Sequence, residues 1–191
     1  MTSTLLRQKL SYNRLNKNAI DQLVAELLHY PELTKPLLDE VFAQDATTEL
    51  FNASWVFDHL MRKKLIYLLP YIEAFLKGTA KLKSESCMRP MAHVVELLNE
   101  AYFKKKKPTF TKAITDEHQK QMVAICFDWL IEEHKVATKV FAMTSLFYLG
   151  EKYAWIRPEL RSVIELQMPT ATAGFKNRGG KILLGLKNLG Y

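Results

Sequence analysis

Three stretches of this chain open with proline and carry one apolar pattern: Pro36-Leu-Leu-Asp-Glu-Val-Phe, Pro70-Tyr-Ile-Glu-Ala-Phe-Leu and Pro158-Glu-Leu-Arg-Ser-Val-Ile. In each, the second, fifth and sixth residues after the proline are apolar: Leu38, Val41 and Phe42; Ile72, Phe75 and Leu76; Leu160, Val163 and Ile164. A fourth copy starts at Ala124 without the proline and keeps Cys126, Trp129 and Leu130. The starts at 36, 70, 124 and 158 are separated by 34, 54 and 34 residues. A recurring period in the thirties is the mark of stacked helical pairs, none of which buries its apolar face alone.

Each proline predicts the start of the first helix of a pair, because a first turn has no use for the N–H that proline lacks. The second helices follow short polar turns. The turn Asp45-Ala46-Thr47, with Thr47 or Thr48 as N-cap, leads into a helix through Phe51, Trp55, Leu60 and Met61. Further second helices are expected over Arg89–Phe103, Val136–Tyr153 and Thr170–Leu189. These align among themselves: a shift of 34 maps Phe141 onto Phe175 and Leu149 onto Leu183, and a shift of 51 maps Leu98 onto Leu149. Ahead of Pro36, Ala19–His29 and a short helix near Leu5–Tyr12 read as a capping pair. The long 54-residue interval holds about twenty extra residues relative to the usual repeat length. They are expected in Gly78–Ser86 and Lys104–Thr115, where four consecutive lysines and Pro108 predict an exposed loop. Thr115 then caps a helix that begins Asp116-Glu117.

The net charge of +7 is distributed in blocks. Residues 1–20 carry +4, 21–50 carry −6, 51–80 carry +2, 81–112 carry +5, 113–150 carry −2 and 151–191 carry +4. A dedicated nucleic-acid binder favours one continuous basic stripe, and alternating signs suit a protein partner better. No run is apolar enough to span a bilayer, and no apolar segment of signal-peptide length opens the chain. Cys87 and Cys126 lack metal-type spacing and read as buried or half-buried thiols of a reducing compartment, so a cytoplasmic location is expected.

Residues 33–189 resemble the HEAT and armadillo-like repeat superfamily: a proline-started helix, a short turn and a second helix. The basic residue common early in the second helix of that pattern is matched by Lys139 and Lys176, while Phe51-Asn52 stands there in the first pair. The resemblance implies an all-α fold, a right-handed α–α superhelix (a HEAT-like solenoid) of about five helical pairs in one domain over 1–191. Residues 1–32 would be N-terminal capping helices, and 33–189 four pairs with an insertion within 78–115. It implies a non-catalytic protein-binding scaffold, with a nucleic-acid binder related to DNA-alkylation repair glycosylases as the alternative. The concave face, lined by second helices, would carry Asn52, His59, Arg89, His93, Glu96, Lys139 and Arg178.

Each chemical candidate has a plainer reading. Gly174-Phe-Lys-Asn-Arg-Gly-Gly-Lys181 lacks the spacing, the hydroxyl and the preceding strand of a phosphate loop. There Gly179 and Gly180 would let a neighbouring helix approach, with Lys176, Arg178 and Lys181 facing solvent. His93 and Glu96 have a metal-type i,i+3 spacing but no matching pair elsewhere, so they read as a solvated helix face. Asp128-Trp129 could serve a base-extruding enzyme, yet Trp129 occupies a repeating core position. Lys104, Lys105, Lys106 and Lys107 form a basic run without interleaved aromatics. The candidate binding residues are therefore Lys104–Lys107, Arg89, His93, Lys139, Lys176, Arg178 and Lys181, with no metal, no small-molecule cofactor and no membrane expected.

Overall fold

The computed structural model describes residues 1–43 and 48–191. Among the described residues there are helices and turns and no strand, so the protein is all-α. The turn at Asp45–Thr47 and the cap assigned to Thr47 or Thr48 lie outside that description. The chain divides into two compact units, 1–94 and 95–191.

In the first unit, α1 (Ser3–Ser11), α2 (Lys17–Leu27) and α3 (Thr34–Val41) all pack on α4 (Thr48–Lys64). A 3-10 segment, Leu65–Tyr71, leads into α5 (Ile72–Thr79), and α6 (Glu85–Asn99) carries the unit boundary. Local chemistry sets the starts. The Thr2 hydroxyl accepts from the Leu5 N–H, and the Asn16 side chain from the Ala19 N–H, so each satisfies a donor that the first turn leaves open. Ala53, Val56, Phe57, Leu60 and Met61 of α4 are buried, and Phe57 stacks on Phe75 of α5 at 6.0 Å.

In the second unit, α9 (Val136–Leu149) packs on α8 (Asp116–Ile131), α10 (Ile156–Gln167) and α11 (Ala173–Asn188). A π-helical turn, Glu100–Lys104, extends the end of α6, and a short α7 (Pro108–Ala113) follows. The expected cap at Thr115 is present in reciprocal form. Its hydroxyl accepts from the His118 N–H, and His118 Nδ1 accepts from the Thr115 N–H, so histidine takes the place usual for Glu or Gln.

The repeating apolar positions point inward. Leu38, Val41, Ile72, Phe75, Leu76, Cys126, Trp129, Leu130, Leu160 and Ile164 are buried, while Phe42 and Val163 are half-buried. Pro36 and Pro158 each stand third in their helix. Pro70 departs from the expectation. It lies inside the 3-10 segment, two residues before α5, where its fixed φ suits the tighter turn. The helix expected from Arg89 begins at Glu85, so Pro90 falls in its interior and withholds one ladder hydrogen bond. The loop expected over Lys104–Thr115 is shorter than anticipated, because Pro108 starts α7 rather than merely ending a helix. The expected ends at Tyr153 and Leu189, and the start at Thr170, move inward to Leu149, Asn188 and Ala173.

Candidate functional site

Helix α4 places Phe51, Trp55, Asp58, His59 and Arg62 on one side, at spacings of three and four residues that return to the same face. Phe51 and Trp55 lie one turn apart with ring centroids 6.0 Å distant. The guanidinium carbon of Arg14, from the α1–α2 connection, sits 4.0 Å from the Phe51 ring centroid. That of Arg89, on α6, sits 5.2 Å from Trp55. His59 meets the Trp55 ring edge-on at 6.5 Å and places Nδ1 3.2 Å from Asp21 Oδ1. Both rings are half-buried, and both arginines are exposed.

Beneath this row lies Asp58, only 1 % exposed. Its Oδ2 accepts from Arg62, and its Oδ1 lies 2.6 Å from His93 Nδ1, which donates to it. A carboxylate at that depth requires partners of this kind, since a buried uncompensated charge is strongly destabilising. Arg62 remains 47 % exposed, so the same guanidinium that neutralises Asp58 also reaches the surface.

The arrangement has a consequence for binding. A guanidinium over the face of an aromatic ring can still offer N–H donors to an oxygen ligand. Neither Arg14 nor Arg89 has a carboxylate within ion-pair distance among the described residues. The row thus combines two preorganised cations with two half-buried rings, the residue types that dominate binding energy at protein interfaces.

The candidates named from sequence separate into several places. Arg89 and His93, one turn apart on α6, both join the α4 face. His93 is bound to Asp58 and is not part of a solvated helix side, which corrects the reading of the His93–Glu96 pair. Asn52, expected on an open concave face, has no exposed surface and serves the backbone of the α1–α2 connection instead.

The remaining candidates belong to the second unit. Lys104 and Lys105 both reach Glu100, at 3.3 and 2.9 Å, and these two cations hold its carboxyl below the usual range. Lys106 adopts a left-handed backbone, φ 46°, and pairs with Glu151 at 3.1 Å. Lys107 is exposed. Lys139 is half-buried, its pKa lowered by desolvation, and it donates to Gln167, which in turn donates to the Leu130 carbonyl. Lys176 donates to the Pro169 carbonyl, closing the α10–α11 turn. Arg178 does not face solvent as expected. It is half-buried, donates to the Thr144 hydroxyl and lies 3.6 Å from Glu96. Lys181 is exposed.

Gly179 approaches its neighbour closely: a methyl there would come 3.1 Å from Ile164. Gly180 has nothing within 4 Å, so only one of the two glycines serves contact. Trp129 is 4 % exposed and Asp128 lies on the surface.

Sequence reasoning missed Arg14, Asp58 and Arg62, and it read Phe51 and Trp55 only as helix positions. The available signal was the Phe51–Trp55–His59 spacing beside Asp58–Arg62, both at i,i+4 on one helix. Among the described residues no cluster of three or more His, Cys, Asp or Glu is placed to hold a metal ion, and no helix is long and apolar enough to cross a membrane. No protein-family model, curated protein or solved structure matches this chain.

Proposed function

We propose that this chain is a non-catalytic helical-repeat protein of the HEAT/armadillo kind, a superhelix of helical pairs that holds another protein on its second-helix faces in a reducing, cytoplasmic setting. The repeat reading is supported by the equivalent positions Leu38, Ile72, Cys126 and Leu160, buried in four separate helices. The binding reading is carried by one observation: Arg14 and Arg89 lie over Phe51 and Trp55 without acidic partners among the described residues. Both arginines stay exposed beside half-buried rings, and arginine and tryptophan are among the residue types that dominate interface energy.

Affinity capture from the native host tests this. The wild-type chain recovers a stoichiometric protein, Trp55→Ala and Arg89→Ala lose it, and Lys187→Ala keeps it. Recovery of no such protein, or one indifferent to Trp55 and Arg89, overturns the reading.

A second reading, nucleic-acid binding, is favoured by the exposed run Lys104–Lys107 in a unit whose fifteen bases outnumber its ten acids. Affinity for an oligonucleotide at low salt that falls steeply as salt rises would support it, and no affinity at low salt would end it. Release of bases from methylated DNA would be needed for the glycosylase version, in which Trp129 would have to leave the core.

A further inference from the structure

We infer that the α4 face receives a short extended acidic segment, with one carboxylate on Arg14, one on Arg89 and an apolar side chain between them against Phe51 and Trp55. This rests on the protein-binding reading and deepens it by naming the partner's chemistry.

Three distances set the scale. Steps of 4.0, 6.0 and 5.2 Å lead from the Arg14 guanidinium through the two rings to that of Arg89. The two cations are therefore no more than about 15 Å apart, which an extended chain covers in about four to five residues at roughly 3.3 Å each. Each guanidinium, held over its ring, has a planar fork of donors that matches a carboxylate. The cation–ring contact restrains the side chain before a partner arrives, so less of its freedom is lost on binding.

Charge separates this partner from a phosphate polymer. Residues 1–94 hold twelve bases and ten acids, a balance of only +2. Asp21 lies beside His59 along the same row, and Asp58 neutralises Arg62 beneath it. A polyanion with a charge on every unit would meet the exposed Asp21 as well as the two arginines. A segment with two carboxylates and an apolar residue between them meets only the arginines and the rings.

The test is a phage-displayed library of random dodecapeptides selected against the full chain. The expected result is enrichment of two Asp or Glu residues within about five positions, flanking an apolar residue. A synthetic peptide of that pattern then loses at least tenfold in affinity to Arg14→Ala and to Arg89→Ala. Arg89→Lys, which keeps the charge but not the fork, also weakens it, and Lys187→Ala, at an exposed lysine of the other unit, leaves it unchanged. Circular dichroism melts check that the variants fold, and Arg→Gln substitutions replace any that do not.

Selection that enriches no acidic pattern, or acidic peptides indifferent to both arginines, overturns the proposal. So does a fluorescein-labelled single-stranded oligonucleotide that binds through Arg14 and Arg89 when no acidic peptide is selected. If host-protein capture still depends on Trp55 in those cases, the face stands and only the partner's chemistry is wrong. If capture is also indifferent, the binding reading itself falls.

Discussion

Oδ1 of Asp58 lies 2.6 Å from Nδ1 of His93, and this contact ties α4 to α6 across 35 residues of sequence. His93→Ala leaves the carboxylate with Arg62 alone, in a position 1 % exposed. We expect a loss of about 2–3 kcal/mol, since truncating one partner of a buried charged pair leaves the other undercompensated. Urea unfolding measures it. In a double-mutant cycle, Asp58→Asn and His93→Ala should couple by about 1 kcal/mol or more; strict additivity would mean that the contact does not contribute.

Asn52 organises the chain's first connection. Its Nδ2 donates to the carbonyls of Leu10 and Asn13, both at 2.7 Å, and its Oδ1 accepts from the Leu15 N–H at 3.0 Å. Asn13 itself takes a left-handed conformation, φ 68°. Asn52→Ala abandons three backbone groups at once. A loss of about 2–4 kcal/mol is expected at roughly 1 kcal/mol for each. Hydrogen exchange should rise in α1 and the following turn ahead of the rest; uniform protection would contradict the assignment.

Two glycines should respond in opposite directions to alanine. At Gly78 a methyl would come 2.4 Å from the Phe42 ring, closer than carbon atoms approach, so the ring must move. Gly78→Ala should cost about 1–3 kcal/mol, and Phe42→Leu in the same chain should recover part of it. At Gly180 nothing lies within 4 Å inside a regular helix. Gly180→Ala should therefore stabilise by about 0.5–1 kcal/mol. Equal thermal shifts for the two would show that space does not decide the outcome.

Burial pushes the thiol of Cys126 up to about 12 from its ordinary value of 9.0, with the Ser145 hydroxyl opposing the shift to a smaller degree. Because the native state disfavours the thiolate, this group contributes stability below pH 9 that is lost as pH rises from about 9 toward about 12. Cys126→Ala should flatten that part of the stability profile relative to wild type. Native protein should leave Cys126 unlabelled by a thiol reagent near pH 8, and denaturant should expose it. Rapid native labelling at Cys126 would contradict its burial.

Much of the architecture is legible from local pattern. Leu38, Phe75, Trp129 and Ile164 face inward because helical periodicity acts over three or four residues. Thr115 caps α8 because a hydroxyl followed by Asp116 and Glu117 satisfies an isolated first turn. These are short-range effects, and a linear chain displays them in full. Helix limits are less legible, since proline fits both a first turn and a 3-10 segment. Pro70 took the 3-10 segment and Pro108 the first turn, while Pro90 lies inside α6.

The fate of the polar residues could not be read in the same way. Asn52 turns inward to carbonyls up to 42 residues away, Asp58 to a histidine 35 away, and Arg178 to a hydroxyl 34 away. Along the chain, each has the neighbours of an ordinary surface residue. Whether a charge is buried and paired, or exposed over a ring like Arg89, depends on which helix arrives opposite it. That encounter is set by packing across separate elements, and a single helix shows only its own share of it, such as the i,i+4 spacing of Asp58 and Arg62.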